Sequence, residues 1–124
     1  MSVSWKDKVI LVVEDDEVSS EFIQEVLFPT GAKILVVTDG LKALEVCKKQ
    51  NIDVILMDIQ LPVMSGQTAL YEIRKINKDV KVIAQTAFAM SGDREKYLSH
   101  GFNDYIAKPI YPQDLIEIIA KHID

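Results

Sequence analysis

The chain has 124 residues, 48% of them hydrophobic, which is the size of one domain and too apolar for a disordered segment. Fourteen basic against nineteen acidic residues leave a net charge of −5, which argues against nucleic-acid binding, and no apolar run approaches the ~20 residues of a membrane helix. The single cysteine, Cys47, excludes an internal disulfide, no Cys/His cluster suggests zinc, and no secretory signal precedes the first apolar run, so a cytoplasmic location is expected.

Residues 1–7 read as an N-terminal extension or linker and 8–124 as the domain, with Trp5 either covering a strand edge or belonging to the linker. Residues 9–13, VILVV, predict the first strand. Val18, Phe22 and Val26, joined by Ile23 and Leu27, then recur at helical spacing, with Asp16 as cap and Pro29-Thr30-Gly31 as the stop. Residues 34–37 predict the second strand. The second helix follows Thr38-Asp39-Gly40 on the stripe Leu41, Leu44 and Cys47, which places the cysteine in the core. Residues 54–57 predict the third strand, and Ala69, Leu70, Ile73 and Ile76 the third helix, after Ser65-Gly66. Residues 80–84 predict the fourth strand. The next helical stretch, 90–100, has the weakest amphipathic pattern, with Tyr97 and Leu98 as its main apolar pair. Residues 105–107 predict a short fifth strand. The last helix carries Leu115, Ile118, Ile119, His122 and Ile123, with Pro112 in its first turn.

The strand runs are β-branched and do not alternate with polar residues, as in a parallel sheet covered on both faces. Five βα units with right-handed crossovers predict an α/β doubly wound sandwich, for which we choose the strand order 2-1-3-4-5. Every βα loop then opens at the carboxyl ends of the strands. Glu14-Asp15-Asp16, Asp58, Thr86 and Lys108 fall at that edge. If the third strand neighbours the first, Asp15 and Asp58 face each other across the point where strand order reverses. Crowded carboxylates repel unless a cation joins them, and an oxygen-only donor set suits Mg²⁺ or Mn²⁺. A carboxylate, a divalent ion, a lysine and a hydroxyl are the parts needed to place a phosphoryl group on a carboxylate. His100 and His122 fall away from this edge and read as surface or partly packed residues.

Four motifs stand in order at the strand ends: ILVVEDD (10–16), LMDIQLPVMSG (56–66), QTA (85–87) and DYIAKP (104–109). With them the chain resembles the receiver (response regulator) domains of two-component phosphorelays, over about residues 8–123. The texture of residues 82–110 is most similar to receivers fused to hybrid sensor kinases. The resemblance implies a flavodoxin-like fold and assigns Asp58 as phosphoacceptor, Asp15 as direct metal ligand and Glu14 as a ligand through water. It further implies that Gln60 offers its backbone carbonyl to the metal, that Lys108 contacts the phosphoryl oxygens, and that Thr86 and Tyr105 form the switch. A cis peptide before Pro109 is also implied. The implied partners are a histidine kinase or histidine phosphotransfer protein, with a homodimer as a further assembly, and the domain acts on itself and not as an enzyme on outside substrates. Output is expected through the surface of helix 4, strand 5 and helix 5, because the chain ends at Asp124, immediately after the last helix. Phe88, two residues after Thr86, is bulky and apolar, and Gln60 brings no charge to activate water, so loss of phosphate is expected to be slow.

Three other functions share parts of this pattern. A flavin carrier needs a hydroxyl- and glycine-rich phosphate loop where this chain has Glu14-Asp15-Asp16. An inert docking domain would not need the complete residue set. A metal-dependent phosphohydrolase would need a separate general base and a substrate pocket, and neither is evident.

Overall fold

In the computed structural model, residues 3–87 and 90–124 are described. Strand β1 (Val9–Val13) leads to helix α1 (Glu17–Leu27), a 3₁₀ turn (Phe28–Thr30), β2 (Lys33–Val37), α2 (Gly40–Lys49) and β3 (Val54–Asp58). Helix α3 (Gly66–Ile76), β4 (Lys81–Thr86), α4 (Asp93–Ser99), β5 (Asp104–Ala107) and α5 (Pro112–Ala120) complete the alternation. All neighbouring strands are parallel, in the order β2-β1-β3-β4-β5. This is the predicted topology.

Two cores sandwich the sheet. Ala43 and Leu44 of α2, Leu70 and Ile73 of α3 and Tyr97 of α4 cover one face. Ile23 and Leu27 of α1, with Leu115 and Ile119 of α5, cover the other. The helices start where local chemistry starts them. Asp16, Asp39 and Ser65 accept the backbone N–H groups of Ser19, Lys42 and Thr68, satisfying donors that the helix cannot. Trp5 is 6% exposed and packs into the α1/α5 core, and its backbone N–H donates to the Thr30 carbonyl at 2.7 Å.

Several apolar positions lie outside the core. β2 is an edge strand, so its residues are exposed or half-buried, where two-sided burial was expected. Helical spacing put Val18 and Phe22 on the buried stripe of α1, but Val18 is 75% exposed and Phe22 is also exposed, while Ile23 and Leu27 turn inward. Leu41 and Ile76, at helix ends, are exposed too. Cys47 is half-buried against the core, and burial pushes its thiol up to about 11, which leaves it inert.

Asp104, buried at the start of β5, joins three elements. It accepts Arg94 Nη1 of α4 at 2.7 Å, His122 Nε2 beyond α5 at 2.8 Å and the Tyr105 N–H at 2.9 Å. Burial alone would raise this carboxyl, but the donors outweigh it and hold its pKa below the usual value. The folded pKa is depressed, so the stabilisation is present above the ordinary aspartate range and is lost as pH falls through the folded value. Asp104→Asn is expected to cost about 1–2 kcal/mol at pH 7, a gap that narrows as pH falls below the ordinary aspartate value toward the folded one. Thermal melts of the two proteins from pH 7 into acid check this; a gap that does not narrow at all as pH falls contradicts it.

Candidate functional site

β1, β3, β4 and β5 deliver their polar ends to one edge. Val13 pairs with Met57, so the residues that follow, Glu14 and Asp58, are neighbours across the β1/β3 boundary. Carboxylate oxygens of Glu14, Asp15 and Asp58 all lie within 4.8 Å of one another. Glu14 is 1% exposed and Asp58 7%, whereas Asp15 opens to solvent. Lys108 reaches into the group, with Nζ 2.8 Å from Glu14 Oε1 and 3.1 Å from Asp58 Oδ2. The Gln60 N–H donates to Asp58 Oδ1 at 3.0 Å, and the Asp16 N–H to Glu14 Oε2 at 3.2 Å. Both buried carboxylates are thereby fixed in orientation.

The backbone explains how Lys108 arrives. Its N–H donates to the Thr86 carbonyl at 2.8 Å, extending the β4/β5 ladder one step past the Thr86–Ala107 pair. The Lys108–Pro109 peptide is cis, as predicted. Thr86, 3% exposed, closes β4 beside the acidic group. Tyr105 is half-buried on β5 and stacks on Tyr97 of α4, with centroids 5.6 Å apart and planes 17° apart. Burial, together with the nearby Asp93 carboxylate, raises its phenol pKa.

Three carboxylates and one ammonium leave an excess of negative charge in a partly dry site. Burial raises the Glu14 pKa, aided by the Asp58 charge and opposed by Lys108 and the Asp16 N–H. Burial works against the Lys108 ammonium, but Glu14 and Asp58 together outweigh it and raise its pKa. The charged lysine therefore offsets one carboxylate and no more. Hard oxygen donors with surplus negative charge, one of them facing solvent, fit an octahedral divalent cation that keeps part of its water shell. The same charge excludes a bare phosphate.

Every predicted site residue lies at this edge except Tyr105, which lines the α4 side behind Thr86. Phe88 falls outside the described residues. His122 pairs with Asp104 at the far end of β5, and His100 is exposed beside Gln67. Sequence reasoning missed two glycine contacts that shape the site. A Cβ on Gly66 would stand 2.4 Å from the Asp58 carbonyl oxygen, and one on Gly40 would stand 2.4 Å from that of Met64. The Ser65-Gly66 pair was legible as a helix start, but the close approach of β3 to it was not.

The chain is similar to known proteins. Residues 10–120 match the response regulator receiver domain family. The chain is 41% identical over 123 residues to hybrid signal transduction histidine kinase I of Dictyostelium discoideum and 38% identical over 114 residues to the transcription factor SKN7 of Saccharomyces cerevisiae. Each alignment covers 92% of this chain but only 7% of the kinase and 18% of the transcription factor. The chain thus spans less than a fifth of either relative. The polar-differentiation response regulator DivK of Brucella ovis is 37% identical, covering 94% of this chain and 96% of DivK. Among solved structures, the receiver domain of a Pseudomonas aeruginosa sensor histidine kinase, with magnesium coordinated in its active-site cleft, superposes with a TM-score of 0.86 at 41% identity, covering 94% of this chain and 97% of that one. The receiver of the Saccharomyces cerevisiae regulator Ssk1, solved with the histidine phosphotransfer protein Ypd1, gives 0.86 at 28% identity, covering 94% and 88%. The sheet order, the acidic edge and these matches agree: the chain folds as a flavodoxin-like receiver and belongs to the response regulator receiver domain family of two-component signalling.

Proposed function

We propose that this domain accepts a phosphoryl group on Asp58 from the phosphohistidine of a kinase or phosphotransfer protein. The observation that carries this is the Asp58 carboxylate, held by the Gln60 N–H on one oxygen and by Lys108 on the other, inside the acidic group with Glu14 and Asp15. An Asp58 oxygen attacks phosphorus in line as the P–N bond to the donor imidazole breaks, and the imidazole leaves carrying a proton. Lys108 moves its N–H donors onto the phosphoryl oxygens, where charge is concentrated. Asp15, Asp58 and the Gln60 carbonyl would hold Mg²⁺, with Glu14 acting through water. The bound ion would neutralise charge on the phosphoryl oxygens. The domain acts on its own aspartate, and the reading places it in the cytoplasm, with residues 8–124 as the receiver and 1–7 as an extension, of which Val3 and Trp5 pack on the α1/α5 side.

The donor must present its histidine above Asp58. Exposed Val18 and Phe22 of α1 face Pro109 and Ile110 across an apolar groove that runs up to Lys108. That groove suits an apolar flank of a histidine phosphotransfer protein, the kind of partner with which the Ssk1 receiver was solved. Output belongs to the α4-β5-α5 side. Thr86, drawn toward the phosphoryl group, vacates space; Tyr105 turns into it and leaves its stack on Tyr97, which shifts α4 and presents a new surface to a partner or to a second copy.

Incubation with Mg²⁺ and acetyl phosphate, read by intact mass, tests the reading. A gain of one phosphoryl group is expected, and none should occur in EDTA. Asp15→Asn should weaken Mg²⁺ binding at least about tenfold, since it removes a charged oxygen ligand from a small, charge-tuned site. Titration of backbone amide shifts measures this; unchanged affinity removes Asp15 from the ligand set.

A further inference from the structure

β4 carries a buried polar side chain that the site described above does not use. Gln85 is 0% exposed, and neither its Oε1 nor its Nε2 has a hydrogen-bond partner among the described residues. Water satisfies both groups in the unfolded chain, so an apolar residue of equal volume would avoid this cost. The amide needs a reason to be there.

The sheet register fixes the direction in which it points. Val82 and Ala84 belong to the α2–α4 core, while Ile83 belongs to the α1/α5 core. Side chains alternate along a strand, so Gln85 shares the face of Ile83. Its partners across the sheet are Asp58 on β3 and Ile106 on β5. Lys108 stands two residues beyond Ile106, one pleat further toward the site edge. The orphaned amide thus lies beside the Asp58 strand end and beneath the lysine. The lysine has three N–H donors, and two are taken by Glu14 and Asp58.

We propose that Gln85 is a positioning residue: in the phosphorylated site its Oε1 accepts an N–H of Lys108 and aims the remaining donors at the phosphoryl oxygens. The inference rests on the acceptor reading of Asp58. Forming the acyl phosphate turns the Asp58 carboxylate into a neutral acyl group, which loosens its grip on Lys108. A fixed amide carbonyl one pleat below then holds the ammonium in place as the lysine exchanges partners.

Gln85→Met and Gln85→Leu keep the volume and remove the acceptor. Both are expected to melt at or above the wild-type temperature and to bind Mg²⁺ within about twofold of it, yet to take phosphate from acetyl phosphate at saturating Mg²⁺ about tenfold more slowly, the size of one lost hydrogen bond to a charged group. In the wild type, the Gln85 side-chain amide signals should move with Mg²⁺ and beryllofluoride beyond any shift with Mg²⁺ alone. Wild-type rates in both variants, or amide signals that do not move, overturn the Gln85 role. So does a slower rate that comes with weakened Mg²⁺ binding or a lower melting temperature, since that describes a structural residue. Failure of the wild type itself to take up phosphate overturns the acceptor reading instead.

Discussion

Asp58→Asn is expected to abolish phosphoryl uptake while the domain stays folded. The substitution keeps the shape of the side chain and its oxygen for the Gln60 N–H, but replaces the nucleophilic carboxylate with an amide. Lys108 keeps its 2.8 Å contact to Glu14, so the ammonium is not left buried and unpaired. The mutual repulsion of Glu14 and Asp58 also disappears, so the thermal midpoint should not fall. Loss of one charged ligand should weaken Mg²⁺ binding at the same time. Intact mass after incubation with acetyl phosphate, alongside a thermal melt, reads both effects. A phosphoryl group retained by a well-folded Asp58→Asn protein would move the acceptor to another carboxylate, with Asp15 the first to examine.

How much of this was legible in the sequence depended on which physical scale carried the signal. The sheet was legible because buried parallel strands leave unbroken β-branched runs, whereas its order was a choice among doubly wound topologies that share the same crossover handedness. The acidic edge was legible for a related reason: a carboxylate directly after an apolar run must lie at a strand end, and Glu14, Asp15 and Asp58 all do. The helix stripes were less reliable. Val18 and Phe22 have the right period, but they fall on the turn that borders the β5–α5 loop, and periodicity does not reveal whether anything covers that turn. Trp5 lies beyond the periodic pattern and yet packs in the core, because a short lead-in segment folds back over α1 and α5. The Asp104 cluster was invisible for another reason. Arg94, Asp104 and His122 are spread over 29 residues, and only the packing of α4 and α5 around β5 brings them together.

Gly66→Ala is the substitution outside the charged site with the largest expected effect, although it adds one methyl group. Gly66 opens α3 directly after its cap, Ser65, and its N–H donates to the Ile59 carbonyl at 3.1 Å. That bond closes the loop from β3 back onto the strand end. The helix start is thereby held so close to β3 that a Cβ would stand 2.4 Å from the Asp58 carbonyl oxygen and 3.0 Å from the Ile59 Cα. Both neighbours are backbone, so neither can swing aside as a side chain would. The Asp58 carbonyl cannot retreat freely, because the Ile59 N–H is tied to the Gln85 carbonyl at 3.0 Å. Either α3 moves outward and loosens Ala69 and Leu70 from the core, or the end of β3 shifts and carries Asp58 away from Lys108. The first route costs packing, and the two together are expected to lower stability by about 2–4 kcal/mol, the range of overpacked core sites with backbone displacement. Urea unfolding measures that loss, and the second route has its own readout. Because Asp58 is displaced, Mg²⁺ affinity should fall in the fraction that remains folded, and the Lys108 side-chain signals should shift even without metal. Gly92→Ala offers the contrast: nothing lies within 4 Å of its would-be Cβ, although its φ of +87° strains any side chain. That variant should lose about 1 kcal/mol and leave Mg²⁺ binding unchanged. If Gly66→Ala proves no more harmful than Gly92→Ala, the β3–α3 junction is softer than the close approach implies, and Asp58 is not held by it.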